Sequence, residues 1–411
     1  ERFGNLVARL HPAVDTSYRP ARAWIKENQL DALCVFNGRM DATRAVFEAA
    51  KSLGVRVLSL ERTWFGDGLQ LYPDENCLGL GSVHRIIGQW RDLPLTNRQA
   101  RLAASYGARR FLRQNNNEWR AYNVNAEQTR WPIEDSRRRI LLVPSSLNEV
   151  WGHQDWKSSW SDPLEAYDAL IAYLGLAPQD ILLRCHPNWA ERIGRSGGEL
   201  SERHYAEWAK SRNVKIIPSD AKASTLGLIE QADAIVVANG SAALEAGLLG
   251  KQVIGIAPSI YQEAGFRDSA MSQCELSGLR LHAELAPAHR EKIRESIARQ
   301  TLRFAYTMIH RIPQFTNEVK AEATTSFRYA SNVDPAPFIA LLQGGELRAD
   351  DEEHDQTLDA ENDVLEKIFR RDWVSLIPDP SSEPRTYASL HRRLLYRPID
   401  GIRKRMPLGD R

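Results

Sequence analysis

Between residues 30 and 62 the hydrophobic pattern changes period twice. LDALCVFNGR (30–39) is apolar and β-branched and stops at Asn37-Gly38-Arg39. MDATRAVFEAAKSLG (40–54) then sets alanine, valine and phenylalanine at helical spacing, with Gly54 as its stop, and VRVLSLER (55–62) is apolar again. A strand–helix–strand unit of this kind predicts parallel pairing through a right-handed crossover. Residues 65–84, rich in Gly, Asp and Pro, predict a long loop, and 96–127 a polar helix.

After the charged connector 132–139 the alternation resumes and is sustained. Apolar runs end at Ser146, Asn188, Asp220, Gly240 and Ala257, and amphipathic runs cover 162–177, 204–213, 223–232 and 241–250. Five strands alternating with four helices predict a doubly wound sheet. The expected fold class is therefore α/β, with two Rossmann-like doubly wound domains facing a cleft: 1–130 and 137–300. Residues 301–345 are expected as a helical return segment onto the first domain, and 346–411 as an acidic linker (LRADDEEHDQTLDAEND) followed by a basic C-terminal arm.

Composition narrows the classes without choosing one. The chain has 411 residues, too many for one compact core, and 43% hydrophobic with 26% charged residues is ordinary for a globular protein. A formal charge of +1 gives no global attraction to nucleic acid. Cys34, Cys77, Cys185 and Cys274 are scattered without a CxxC pair, which suits reduced thiols in the cytoplasm better than a disulfide or zinc scaffold. No apolar run approaches the length of a membrane span. The basic arm leaves a peripheral contact with acidic lipid or an assembly partner open beside the ordinary reading of a solvated face.

Candidate chemistry gathers at three strand ends. LLRCHPNW (182–189) ends a buried strand in His186-Pro187, and Pro187 forces His186 into an extended conformation. Ligands of open α/β sheets bind just beyond such ends, although a proline that merely stops a strand fits too. At VVANGSAALEAG, Asn239-Gly240-Ser241 leads straight into a helix whose free N–H groups suit a phosphate. Gly240 permits close backbone approach, Ser241 can bind a phosphate oxygen or simply cap the helix, and Glu245 can accept from ribose hydroxyls or merely complement the dipole. Beyond the third strand end lie Ser145, Ser146 and Glu149, then His153 and Asp155. A carboxylate there could serve as nucleophile or base on an activated sugar, a role that suits Glu149 better than Asp155. No acidic pair ends a strand as a divalent-metal site would require, and P-loop, GxSxG and GxGxxG signatures are lacking.

Arg184-Cys185-His186-Pro187, then the strand–Gly-Ser–helix element with LEAGLLGKQVIGI, then SIYQEAGF, resembles the capsule polysaccharide biosynthesis proteins, which include retaining β-Kdo transferases. VFNGR and LER look like the acceptor-side half of the same group; the likeness spans about 30–270 and is strongest over 140–267. It implies a GT-B fold and a CMP-Kdo donor, with no cofactor and no metal ion. His186 would meet the donor phosphate, with Ser145, Arg184, Pro187, Asn239, Gly240, Ser241, Glu245 and Tyr261 around the nucleotide and Glu149 as the acid. Related enzymes carry Gln and, four positions on, Asp where this chain has Ser145 and Glu149. The implied partners are a nucleotide-sugar donor and a glycan or glycolipid acceptor in capsule or lipopolysaccharide assembly, in the cytoplasm or at the inner membrane. A CDP-polyol phosphotransferase of the teichoic-acid type and a non-catalytic docking domain are the alternatives.

Overall fold

The computed structural model describes residues 4–115, 122–146, 150, 152–191, 195–323, 326–330, 333–378 and 387–389. The first unit comprises α1 (Gly4–Glu27), β1 (Ala32–Phe36), α2 (Asp41–Lys51), β2 (Arg56–Arg62), β3 (Leu69–Pro73), α3 (Gly81–Trp90) and α4 (Asn97–Phe111). β1 and β2 pair in parallel across α2, as the changing periods predict. The alternation along β2 splits its neighbours: Val57 joins the core under α1 and α2, while Leu58 faces the core shared with α3.

Three features of this unit differ from the expected pattern. α1 is an additional helix, with Pro12 and Pro20 in its interior, residues that ordinarily interrupt one. The loop expected over 65–84 is instead β3 and the start of α3. Gly66 and Gly68, at φ 132° and 83°, turn the chain so that β3 pairs antiparallel with β2. The helix expected over 96–127 begins with a capping box at Thr96 but ends at Phe111, just before Arg113 enters the left-handed region at φ 61°.

The second unit follows with β4 (Ile140–Val143), α5 (Pro163–Leu174), β5 (Ile181–Arg184), α6 (Arg195–Ser211), β6 (Lys215–Ile217), α7 (Thr225–Gln231), β7 (Ala234–Val237), α8 (Ala242–Leu248), β8 (Gln252–Gly255), β9 (Asp268–Ser269) and α9 (Gln273–Leu276). Its sheet is parallel throughout, in the order β6-β5-β4-β7-β8-β9, the Rossmann arrangement. Every residue of β4, β5, β7 and β8 is buried, because helices cover both faces of the sheet. The expected pair of α/β units facing a cleft is thus present, the first reduced to three strands.

α10 (Pro287–Tyr306) packs on both α4 and α8 and ties the units together. Beyond it the expected helical return is only partly helical. β10 (Val319–Ala323) and β11 (Ser326–Ala330) pair antiparallel, ahead of α11 (Ala336–Leu342), α12 (Asp359–Phe369) and β12 (Tyr387–Ser389), which pairs with β11. The β2–β3 turn supplies the reason: Gly68 N–H donates to the Val319 carbonyl at 2.9 Å, and Ala321 N–H donates to Asp67 at 2.9 Å.

The acidic run 347–363 is not the solvated linker expected of it. Asp351 accepts from Gln99 at 3.0 Å and from the Tyr306 hydroxyl. Glu361, fully buried on α12, accepts from Arg303 at 2.8 and 2.9 Å, Arg299 at 3.2 Å and Leu95 N–H at 2.9 Å. Buried Arg303 and part-buried Arg299 on α10 thus meet an acid from this run, and the fully buried Arg311 just beyond α10 donates to the backbone carbonyls of Asp351 (3.2 Å) and Glu353 (2.8 Å). Apart from β12, the basic arm lies outside the described residues. Among those residues no helix is long and apolar enough to cross a membrane.

Candidate functional site

Chain order reverses in the second sheet between β4 and β7, which opens a crevice at their carboxyl ends. Here the Ser145 hydroxyl donates to the Asn239 side-chain carbonyl, joining the two strand ends. Beside it lies a cavity of about 280 Å³, lined by the ends of β4, β5 and β7 and by the loop after β6. Its outer wall is the segment between the two units, where Tyr122, Asn123 and Asn125 stand. That wall is fastened to the loop: Glu127 N–H donates to the Lys222 carbonyl at 2.7 Å, and Ser224 N–H donates to the Glu127 carbonyl at 2.9 Å.

His186 lines this cavity with Pro187 beside it. Its backbone is extended at φ −71° and ψ 131°, as a following proline requires. Nδ1 accepts the Asn188 N–H at 3.2 Å, so the neutral ring carries its proton on Nε2. The edge of Tyr122 meets the ring at 5.7 Å and 88°. A histidine held this way presents a hydrogen-bond donor suited to an anion.

Arg184 bonds to backbone as well as lining the cavity. It is buried at 2% exposure, and its guanidinium donates to the carbonyls of Pro218 (2.5 Å), Ala221 (3.0 Å) and Ala223 (3.4 Å). It lines the cavity while organising the loop after β6. Burial lowers its pKa from the ordinary guanidinium value. Burial also pushes the neighbouring Cys185 thiol up to about 12, which rules it out as a thiolate nucleophile near neutral pH.

Gly240, Ser241 and Glu245 share the cavity with His186. A Cβ at Gly240 would meet nothing within 4 Å, so the space in front of this turn is open. Ser241 makes no cap hydrogen bond, contrary to the simplest reading of its position, and α8 itself has only seven residues. Glu245 is 7% exposed and ion-paired with Arg110 from the last turn of α4. Arg110 carries no motif and is invisible in the sequence; only the fold brings it to Glu245.

A larger cleft of about 660 Å³ lies between the two units. Asn239 and Tyr261 line this cleft and not the smaller cavity, whereas Arg110 and Ser241 line both and mark where the two spaces meet. The Tyr261 hydroxyl donates to the Ala238 carbonyl at 3.3 Å, and burial raises its pKa well above 10. Asp155 is exposed, and it accepts Leu80 N–H at 2.9 Å, while Trp156 Nε1–H donates to the Leu78 carbonyl at 2.8 Å. Both therefore brace the units rather than project freely. Glu149 lies outside the described residues. Among the described residues no three His, Cys, Asp or Glu side chains gather as a metal-binding group.

No family model matches the chain, and no curated protein matches it. Among solved structures it is similar to KpsC of Thermosulfurimonas dismutans. Against the KpsC structure described as a beta Kdo 2,4 transferase, identity is 14% over 73% of this chain and 82% of that one, with a TM-score of 0.40. Against the one described as a beta Kdo 2,7 transferase it is again 14%, over 79% and 88%, with a TM-score of 0.39. An S. aureus MnaA–UDP structure is similar over 72% of this chain and 79% of its own, at 14% identity and a TM-score of 0.31.

Proposed function

We propose that the protein is a metal-independent GT-B glycosyltransferase of bacterial surface polysaccharide assembly. It transfers a sugar, with Kdo from CMP-Kdo as the donor proposed, to a glycan acceptor with retention of configuration. One observation carries this reading: a single cavity at the sheet's switch point gathers His186, Gly240, Ser241 and Glu245 and meets a larger cleft between the units. The cavity would hold the nucleotide monophosphate and the cleft the acceptor. The sequence resemblance supports cytidine and Kdo. The absence of a strand-terminal acidic pair from the sequence supports independence from a divalent ion.

In this reading the bond between the anomeric carbon and the phosphate oxygen breaks, and its electron pair stays on that oxygen. His186 Nε2–H donates to the developing charge. Glu149 attacks the anomeric carbon to form a glycosyl ester, which an acceptor hydroxyl then displaces, losing its proton to solvent. Two displacements retain configuration.

A transfer assay with CMP-Kdo in the presence of a chelator tests the proposal, with Glu149→Gln and Asp155→Asn compared. Glu149→Gln should abolish transfer while nucleotide binding persists, and Asp155→Asn should remain near wild type. The reading is falsified if Asp155→Asn removes transfer and Glu149→Gln does not. Strict dependence on magnesium with a uridine diphosphate sugar would also overturn it.

A further inference from the structure

The donor cavity contains a buried acid that a phosphate would have to tolerate. Glu245 stands on α8 one turn beyond Ser241, and both line the same 280 Å³ space. Two anions in so small a volume repel strongly unless a cation stands between them. Arg110 is the cation beside this acid. It is 8% exposed, pairs with Glu245, and lines both the cavity and the cleft.

Its placement is built from several directions. Tyr106 and Phe65 flank the guanidinium, with its carbon 4.8 and 5.7 Å from their ring centroids. The two rings meet edge to face at 4.7 Å. The Arg110 carbonyl accepts from Asn123 Nδ2 at 2.7 Å, and Asn123 also donates to the buried Asn115 at 2.9 Å. The side chain therefore spans the two units from an anchored helix end. A guanidinium has five N–H donors in a planar fork whose geometry matches both carboxylates and phosphates.

We propose that Arg110 is the cation that binds the donor's leaving phosphate, with Glu245 as the carboxylate that orients it. This rests on the donor-cavity reading above and adds to it a residue that no motif in the sequence marks. It also sets Arg110 beside Arg184, whose two terminal nitrogens donate to the carbonyls of the loop after β6. Because Arg110 sits where cavity and cleft meet, the phosphate would lie at the boundary between donor and acceptor.

The test measures the affinities of CMP and of cytidine by calorimetry, so that their ratio isolates the phosphate's contribution. Substituting Arg110 alone would strand the Glu245 charge, so the comparison is made in the Glu245→Gln background. Adding Arg110→Gln to Glu245→Gln should lower the CMP-to-cytidine ratio by about 10-fold or more while cytidine binding changes by less than about threefold. Arg110→Lys in an otherwise unchanged chain should keep part of the ratio, because the charge remains and the fork is lost. A ratio unaltered by Arg110→Gln overturns the assignment of Arg110 and leaves the donor cavity standing. Failure of the wild-type protein to bind either compound overturns both.

Discussion

Arg184 donates a 2.5 Å hydrogen bond to the carbonyl of Pro218, 34 residues further along the chain. With the bonds to Ala221 and Ala223, it fixes the loop that walls the candidate donor cavity. The motif residue two before His186 thus shapes the site through backbone, and its effect on a ligand passes through that loop.

Replacement of Arg184 by lysine separates these roles. An ammonium is a single point charge and cannot serve three carbonyls from one plane. We expect Arg184→Lys to cost about 1–3 kcal/mol of stability, as lost charge-assisted hydrogen bonds do. We expect nucleotide affinity to fall about 10-fold in the same variant, equivalent to about 1.4 kcal/mol. Thermal melts with and without CMP check both. A destabilised variant with unchanged CMP affinity would show that the loop does not form part of the site.

Much of the second unit was legible because its strands are buried on both faces, and ILLV, ILLR and AIVV read as continuous apolar runs between helical patterns. Less of the first unit was legible. The segment LQLYP is short and follows a glycine-rich turn, so local composition suggested loop while the pairing with β2 made a strand. The acidic run misled for a related reason: Asp351 and Glu361 meet their cations only after α10 folds against α12 and the chain before it. The same holds for the site. His186 and Gly240 carry local signals in Pro187 and the strand–turn–helix pattern, whereas Arg110 is one of several arginines on α4 and gains meaning only from the 135-residue separation that the fold closes to Glu245.

Glu361 offers a direct measure of how firmly the acidic run is held. It is fully buried with two arginines and one backbone N–H around it. Glu361→Ala leaves Arg303 buried without its acid, which should cost about 3–5 kcal/mol. Urea titration should show the loss, and limited proteolysis should cut the segment after residue 346 faster than in wild type. Equal proteolysis rates would mean that the strap does not depend on this pair.

His310 gives the fold a dependence on acid. Its ring stacks on Tyr306 at 5.1 Å, among Lys320, Asp67, Arg98 and Asp351. Burial, with Lys320 and Arg98 adding to it, lowers its pKa from 6.5 to about 4. The unfolded chain therefore takes up this proton first, so the associated stability is fully present above pH 6.5 and is lost as pH falls towards 4. The loss amounts to as much as about 3 kcal/mol at the acid end. In urea titrations at pH 7 and 4.5, His310→Phe should flatten this difference relative to wild type. An identical pH dependence in both proteins would assign the acid sensitivity elsewhere.

A crystal structure of the protein grown with CMP and without added metal would locate the nucleotide. The nucleotide is expected in the cavity between the ends of β4, β5 and β7 and the loop after β6. There its phosphate should lie within hydrogen-bond reach of His186 Nε2, and its ribose should lie beside Glu245. CMP bound instead in the cleft beside Trp64 and Tyr72, or an empty cavity at saturating CMP, would contradict it.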